Sequence, residues 1–305
     1  NSYCLLRDEG PETFYTGELS KILIKDFKEA NSYLTHEDLS SYKSELNTSK
    51  KTLYRSSEIH VAPGLNAGPS LIDALNYLEK NWSAKDENPD KYAYEKYYKA
   101  LEFSYEKRLR EMGEPKENSC TTHLSVVDKD GNMVSLTQTL LSVFGSRVVL
   151  PKSGILMNNG IMWFDPRPGR PNSLSADKKP LSNMCPTIVL DKSGKKIALG
   201  ASGGRRIFPA VFQTISFLID YNMSLNDAFN VPRIDYSGEN RILVNENLNQ
   251  DIINSLNNYK ETVDVPDSVF SHLFAAPNAV MTHSNGNKYG NAYVPSPWSS
   301  ALSSE

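Results

Sequence analysis

The sequence predicts an α+β protein whose helices and strands pack in layers. Helical patterns fill most of the first 112 residues, a hairpin signal follows, and a second hairpin runs through adjacent glycines into the most apolar helix of the chain. Short strand signals then return toward the end. At 305 residues the chain can bury a sizeable core as one large domain or two ordinary ones, so length alone does not choose.

Composition narrows the function class. With 39% hydrophobic and 23% charged residues, and no apolar run near the ~20 residues a membrane span needs, the chain reads as soluble and globular. A net charge of -3 argues against nucleic acid as a partner, which leaves a small-molecule or peptide substrate as the better fit. Cys4, Cys120 and Cys185 are odd in number and far apart, which predicts free thiols. His36, His60, His123, His272 and His283 lack ligand spacing, so neither a metal nor another cofactor is expected. Asn1-Ser2-Tyr3-Cys4 has no initiator Met and no signal-peptide pattern; the chain reads as beginning mid-protein, and localisation is unknown from it.

In chain order, Leu19, Ile22, Ile24 and Phe27 recur at helical spacing within residues 17–31, and Thr35 caps a second helix over residues 36–46 with acids in its first turn. Residues 54–62 alternate as a strand. Pro63 to Ser70 breaks it before an amphipathic helix to about Trp82; such a small-residue turn either binds an anion or is only a tight turn. A polar loop over residues 83–90 precedes a helix from Lys91 to about Met112, whose tyrosines are interleaved with acids and therefore read as core rather than as base-stacking residues. Gly113 to Ser119 is a polar linker.

The centre of the chain is the hairpin Cys120 to Asp128, turn Lys129-Asp130-Gly131-Asn132, and Met133 to Leu140. If the peptide bond before Thr121 is cut, that residue carries a hydroxyl and a free α-amine, the minimal pair for N-terminal-nucleophile amide hydrolysis. Short strands are expected at residues 148–150 and 154–157, then an ordered loop over residues 158–171. Residues 187–190 and 196–200 form a second hairpin. Gly203-Gly204 then opens an apolar helix over residues 207–222; their amides suit an oxyanion, or the pair serves only close strand–helix packing. Ser224 caps a short helix, residues 241–245 form a strand, residues 248–259 a helix, and two strands are expected near Val269 and Val280.

With these motifs the chain resembles the γ-glutamyltransferase family of N-terminal-nucleophile hydrolases over nearly its whole length. The resemblance rests on residues 9–17, Thr121-Thr122-His123 with Ser125 to Asp128, Ser153 to Leu156 with Asn158-Asn159, Leu181 to Met184, and Gly203-Gly204. It implies a four-layer αββα sandwich made as a precursor that cuts itself between Cys120 and Thr121. Residues 1–120 would be the C-terminal part of the large-subunit region and residues 121–305 the small subunit, together one domain. Thr121 would be the nucleophile, Thr139 its neighbour in processing, and Gly203 and Gly204 the oxyanion hole. Ser182 and Asn183 match the pair that contacts the substrate carboxylate. The implied partners are a γ-glutamyl or other acyl amide such as glutathione, then water or an amine acceptor.

Two positions in the acyl pocket depart from the family pattern. Leu141 stands where the family has Asn, and Trp163 where it has the Asp that pairs with the substrate's α-ammonium. A large-subunit segment upstream of Asn1, with core strands and a carboxylate-gripping arginine, is expected from this chain's precursor or from a second subunit. The resemblance thus implies an enzyme of glutathione metabolism, an acylase with a non-glutamyl pocket, or a non-catalytic homologue acting as a binding or assembly subunit.

Overall fold

The computed structural model describes residues 1–113, 120–267, 269, 274–293 and 295–303, with the backbone alone at Cys120. The chain divides into two compact units, Asn1–Asn47 with Leu140–Gly160, and Thr48–Thr139 with Ile161–Glu305. The polar linker before Thr121 therefore falls almost wholly outside the described residues.

In the first unit four helices run in succession: α1 (Ser2–Glu9), α2 (Glu12–Tyr15), α3 (Glu18–Glu29) and α4 (His36–Ser41). The helix expected to reach residue 46 stops at Ser41, yet its start is the one the sequence signals: Thr35 and Asp38 form a reciprocal capping box. The apolar stripe of α3 buries Leu19, Leu23 and Phe27 against Leu150. Asp26, on the same helix, accepts hydrogen bonds from the backbone N–H groups of Lys152 (3.1 Å) and Ser153 (3.0 Å). The two strands expected at residues 148–157 reduce to a single bridge, Val149 to Leu156. The Asp26 carboxylate takes the amides of the intervening turn and thereby closes it.

The second unit begins with β1 (Lys50–Tyr54) and β2 (Ser57–Val61), an antiparallel hairpin where one strand was expected. Helices α5 (Gly68–Asn81) and α6 (Lys91–Glu111) follow, then β3 (Cys120–Val127) and β4 (Met133–Leu141), whose last two residues belong to the first unit. Next come β5 (Thr187–Leu190), β6 (Lys196–Ser202), α7 (Ile207–Asp220) and α8 (Leu225–Asn230). The chain continues through β7 (Ile234–Asp235), β8 (Ile242–Asn245), α9 (Gln250–Asn257), β9 (Thr262–Val265), β10 (Ala276–Thr282) and β11 (Lys288–Ala292). A strand is thus present at Val280; near Val269 the closest one, β9, ends at Val265.

A six-stranded antiparallel sheet in the order β1-β2-β5-β6-β10-β11 is the frame of this unit. Ile197, Leu199 and Ala201 point from β6 into one core with Leu71 and Leu75 of α5, Tyr94, Tyr97 and Leu101 of α6, and Phe208, Phe212 and Ile215 of α7. Tyr97 stands at its centre, edge-on to Phe212, Phe217 and Trp82. Tyr94, Tyr97, Tyr98 and Tyr105 of α6 are core residues, as their spacing predicts, while Tyr92 is exposed. On the other face of the sheet the β3–β4 hairpin lies across β6 and β10, so β6 is buried from both sides. β7, β8 and β9 form a separate three-stranded sheet. Among the described residues no helix is long and apolar enough to cross a membrane.

Candidate active site

Two-residue alternation decides what the hairpin presents to the sheet. Thr121, His123, Ser125 and Val127 of β3, and Met133, Ser135, Thr137 and Thr139 of β4, lie on the more buried face. Thr122, Leu124, Val126, Val134, Leu136 and Gln138 lie on the exposed one. The buried face is polar and anchored by hydrogen bonds. Ser135 Oγ donates to the Leu199 carbonyl (2.9 Å) and accepts from the Thr187 N–H (3.0 Å), while Asn278 Nδ2 donates to the His123 carbonyl (2.8 Å).

His123 is the key of this contact. Its ring nitrogens bond Thr137 Oγ1 (2.8 Å) and Ser125 Oγ (3.1 Å), and burial pushes its pKa down to about 4, so the imidazole is neutral at pH 7. The ring packs directly on Gly200, where a Cβ would stand 2.2 Å from Cε1 and 2.5 Å from both ring nitrogens. Asp128 donates its N–H to the Asn132 carbonyl at the turn, and His123 meets Thr137. An antiparallel register that makes both pairs puts Thr121 across from Thr139.

β6 leads from Gly200 to Gly203 and Gly204. These adopt positive φ, 139° and 64°. A Cβ on Gly203 would lie 2.6 Å from Ala275 Cα, so the close-packing role of this turn is real. It does not consume the amides: neither Gly203 N–H nor Gly204 N–H donates a hydrogen bond among the described residues. Two unengaged donors at the start of a helix can receive an oxyanion.

Ser182 and Asn183 are both 6% exposed. Ser182 hangs from the Leu65 carbonyl through its N–H (3.0 Å) and its hydroxyl (3.3 Å). In the turn before α5, Ala67 N–H donates to the Met184 carbonyl (3.0 Å) and Gly68 N–H to Asn66 Oδ1 (2.7 Å). That small-residue turn is thus a brace, with those amides already engaged. Arg108, 2% exposed on α6, completes it by donating to the carbonyls of Asn66 (2.9 Å) and Ser182 (2.7 Å) and to Asn183 Oδ1 (3.1 Å).

Trp163 ends a short 3-10 turn, Gly160–Trp163, and is partly buried. The buried Asn172 joins it to Leu181, the residue before Ser182, donating from Nδ2 to the Trp163 carbonyl (2.6 Å) and accepting at Oδ1 from the Leu181 N–H (3.0 Å). Asp165, two residues on, is engaged by Arg167, which donates its backbone N–H (2.9 Å), Nε (2.9 Å) and Nη2 (2.8 Å) to it and holds the carboxyl at about 2. Leu141, in the first unit, is buried with φ 75°, a left-handed backbone that costs a leucine about 1–3 kcal/mol. Beside it Asn159 brackets Ser142, accepting from its N–H (3.0 Å) and donating to its hydroxyl (2.8 Å).

The structure therefore gathers Thr121 and Thr139 on one face of one hairpin, and ties Ser182, Asn183 and Trp163 together through Arg108 and Asn172. Leu141 is placed in the other unit. Arg108 escaped the sequence reading although a signal was present: it falls seven residues after Leu101, on the buried stripe of α6. Asn172, within a Pro- and Gly-rich loop, carries no such signal. Among the described residues no group of His, Cys, Asp or Glu side chains is arranged to hold a metal.

Comparison with known proteins places this geometry. The sequence profile described as Gamma-glutamyltranspeptidase matches residues 1–120 and 114–292. The chain is 30% identical over 285 residues to the glutathione hydrolase proenzyme of Escherichia coli, covering 76% of this chain and 49% of that protein. It is 32% identical over 269 residues to the Acylase ACY 1 proenzyme of Pseudomonas sp. strain SE83, covering 75% and 48%. The chain thus spans about half the length of the curated relatives it matches. The cephalosporin acylase of Bacillus halodurans, 22% identical, superposes over 93% of this chain and 58% of its own with a TM-score of 0.79, which shows a shared α+β fold. On profile, identity and fold together, this chain belongs to the gamma-glutamyltranspeptidase family.

Proposed function

We propose that this chain is the catalytic part of a self-processing amide hydrolase or acyltransferase with Thr121 as its nucleophile. The observation that carries the reading is the position of Thr121: it is the second residue of β3, on the face turned toward β6, the strand that leads into the unengaged amides of Gly203 and Gly204. In processing, Thr121 Oγ1 attacks the Cys120 carbonyl and the peptide C–N bond breaks, leaving an ester and a free α-amine. Water opens the ester to a Cys120 carboxylate and a free hydroxyl, separating residues 1–120 from residues 121–305. In this reading Thr139, opposite in register, hydrogen-bonds Thr121 in both steps.

The processed site runs the same chemistry on a substrate amide. The α-amine of Thr121 takes the hydroxyl proton as Oγ1 attacks, and the oxyanion forms against Gly203 and Gly204, worth about 3 kcal/mol per donor at comparable sites. The proton passes to the leaving amine, and water or an acceptor amine releases the acyl group from Thr121. Relatives named proenzymes support the self-cutting step. N-terminal sequencing and intact mass test it. Wild type is expected to give a fragment beginning at Thr121 and Thr121→Ala only the uncut chain; an uncut wild type refutes the reading and leaves a binding subunit.

Observations at the acyl pocket favour acylase specificity over γ-glutamyl transfer. An α-ammonium needs an available carboxylate, and Asp165, the acid beside Trp163, is occupied by Arg167. The relative named an acylase supports the same reading. Glutaryl anilide, which lacks the ammonium, is expected to be cleaved with a higher kcat/KM than γ-glutamyl anilide; the reverse order rejects this specificity.

A further inference from the structure

The edge of the six-stranded sheet carries a chain of hydrogen-bonded side chains that the amide-cleaving site does not use. β1 and β2 pair with Lys51 opposite His60 and Leu53 opposite Glu58, and β2 pairs with β5 so that Glu58 faces Leu190. Residues directly opposite share a face of the sheet, as do residues two apart on one strand. Lys51, Leu53, Glu58, His60 and Leu190 therefore lie on one face, while Ile59 and Val61 turn into the core on the other. Ser49, next to the start of β1, joins this face through its hydroxyl.

The contacts run in one direction. Ser49 Oγ is 2.9 Å from His60 Nδ1, His60 Nε2 is 2.6 Å from Glu58 Oε1, and Lys51 Nζ donates to Glu58 Oε2 at 2.8 Å. The hydrogen bond from Lys51, then that from His60, holds the Glu58 carboxyl below its ordinary range, so at neutral pH it is ionised and only accepts. That fixes the tautomer of a neutral ring: the proton sits on Nε2, and Nδ1 keeps the lone pair that accepts the Ser49 hydroxyl. A hydroxyl that donates to an imidazole whose other nitrogen donates to a carboxylate is the arrangement that activates a serine. The His60 and Glu58 side chains are 22% and 34% exposed, sheltered but reachable, and Ser49 is open to solvent.

We propose that Ser49 and His60 form a second catalytic centre that cleaves activated carboxylic esters, with Glu58 as the positioning residue of the imidazole. Ser49 Oγ attacks the ester carbonyl carbon as Nδ1 takes the hydroxyl proton; the bond to the leaving oxygen breaks, and that oxygen departs with the electron pair and the proton from Nδ1. Water then loses a proton to Nδ1 and attacks the acyl carbon, the bond to Oγ breaks, and Oγ recovers the proton. Lys51, on the same face, has N–H groups beyond the one given to Glu58 and supplies positive charge beside the developing oxyanion. The substrate class follows from the exposure. In high dielectric that charge stabilises an oxyanion far less than a buried pair of amides does, so the leaving group must be a good one, an aryl oxide rather than an amine. Leu53 and Leu190, 63% and 37% exposed on either side of Glu58, offer the aryl ring an apolar surface.

The test uses the full chain carrying Thr121→Ala, which removes the first nucleophile, with p-nitrophenyl acetate as substrate and p-nitroacetanilide as its amide counterpart. The parent is expected to cleave the ester above the buffer rate and to leave the anilide intact. Ser49→Ala and His60→Gln should each lower kcat/KM for the ester at least about tenfold, and Glu58→Gln should lower kcat at least about threefold with KM within about twofold. All three side chains lie outside the core, so each variant should melt within about 2 °C of the parent. Acid quenching during turnover, followed by peptide mass analysis, should find acetyl on Ser49. A Ser49→Ala variant as fast as its parent overturns the proposal, as does acetylation that spares Ser49, a Glu58→Gln variant with the parent's kcat, or an anilide cleaved as fast as the ester. If His60→Gln or Glu58→Gln melts lower, Ser49→Ala and the acetylated peptide decide. None of these results bears on Thr121, whose own test is the cut before it.

Discussion

Gly200→Ala adds one methyl group at the contact between the candidate nucleophile's hairpin and the sheet. Its Cβ would sit 2.2 Å from His123 Cε1 and 2.5 Å from both imidazole nitrogens, against about 3.4 Å for ordinary contact, so ring and strand must separate by roughly 1.2 Å. The ring cannot yield freely, because its nitrogens are held by Thr137 and Ser125 at 2.8 and 3.1 Å. Overpacking costs about 1–3 kcal/mol, and two disturbed buried hydrogen bonds about 1 kcal/mol each, for a total of about 3–5 kcal/mol. At about 2–4 °C per kcal/mol for a unit of this size, the melting temperature should fall by roughly 10 °C.

The assay is thermal unfolding in a Thr121→Ala background, which keeps every variant a single uncut chain under the proposed mechanism. A double-mutant cycle with His123→Ala isolates the contact: removing the ring should relieve the added methyl, giving a coupling of about 2 kcal/mol. Gly200→Ala melting within about 2 °C of its parent, or a cycle additive within about 0.5 kcal/mol, would refute the packing argument. With Thr121 restored, the same substitution is expected to slow self-cutting, because it lifts the strand that Thr121 opens.

The remaining predictions concern protonation, the first unit and thiol reactivity. His123 has a folded pKa of about 4 against about 6.5 unfolded. Above pH 6.5 both states are neutral; between 6.5 and 4 the unfolded chain takes up the proton and the fold does not, so stability falls with pH by up to roughly 3 kcal/mol. Urea titrations at pH 7 and pH 4.5 should show that loss in wild type and less of it in His123→Gln. Asp26→Ala leaves the amides of Lys152 and Ser153 without their acceptor, and amide hydrogen exchange should become faster at both positions by at least about tenfold, consistent with about 1–3 kcal/mol for a buried unsatisfied group. Cys185 is fully buried and its thiol is pushed up to about 12 by burial, whereas Cys4 is exposed, so iodoacetamide should label Cys4 in the native protein and Cys185 only after denaturation.

What was legible in the sequence follows from how far each contact reaches along the chain. The β3–β4 hairpin was readable because its information is local: strict alternation on both strands, and a turn in which Gly131 supplies φ 83° and Asp128 accepts the amides of Asp130 and Asn132. The β1–β2 hairpin was not, because its turn is Arg55-Ser56, two non-glycine residues at φ 52° and 92°. Distant partners hold that turn. Arg55 Nε donates to Asp220 Oδ1 (2.8 Å), 165 residues away, its N–H donates to Glu79 Oε2 (3.0 Å), and its guanidinium lies over the Tyr54 and Trp82 rings. Tertiary contacts override local preference there, and no reading of the turn residues alone could find it.

The candidate site divides along the same line. Thr121 and Gly203-Gly204 announce themselves because reactive hydroxyls and paired glycines have chemistry that survives without knowledge of their neighbours. Arg108 does not, because its meaning lies in acceptors 42 to 75 residues distant along the chain. Yet it sits on the one face of α6 where a charge is out of place, seven residues after Leu101. A cation on an apolar stripe must find partners when that stripe is buried, and its length and donor geometry then dictate acceptors rather than solvent. Such a residue reads as surface while periodicity is used only to gather apolar positions. Treated as a cation that must be satisfied inside the core, it points to a buried cluster of carbonyls and amides, which is where the structure places Ser182 and Asn183.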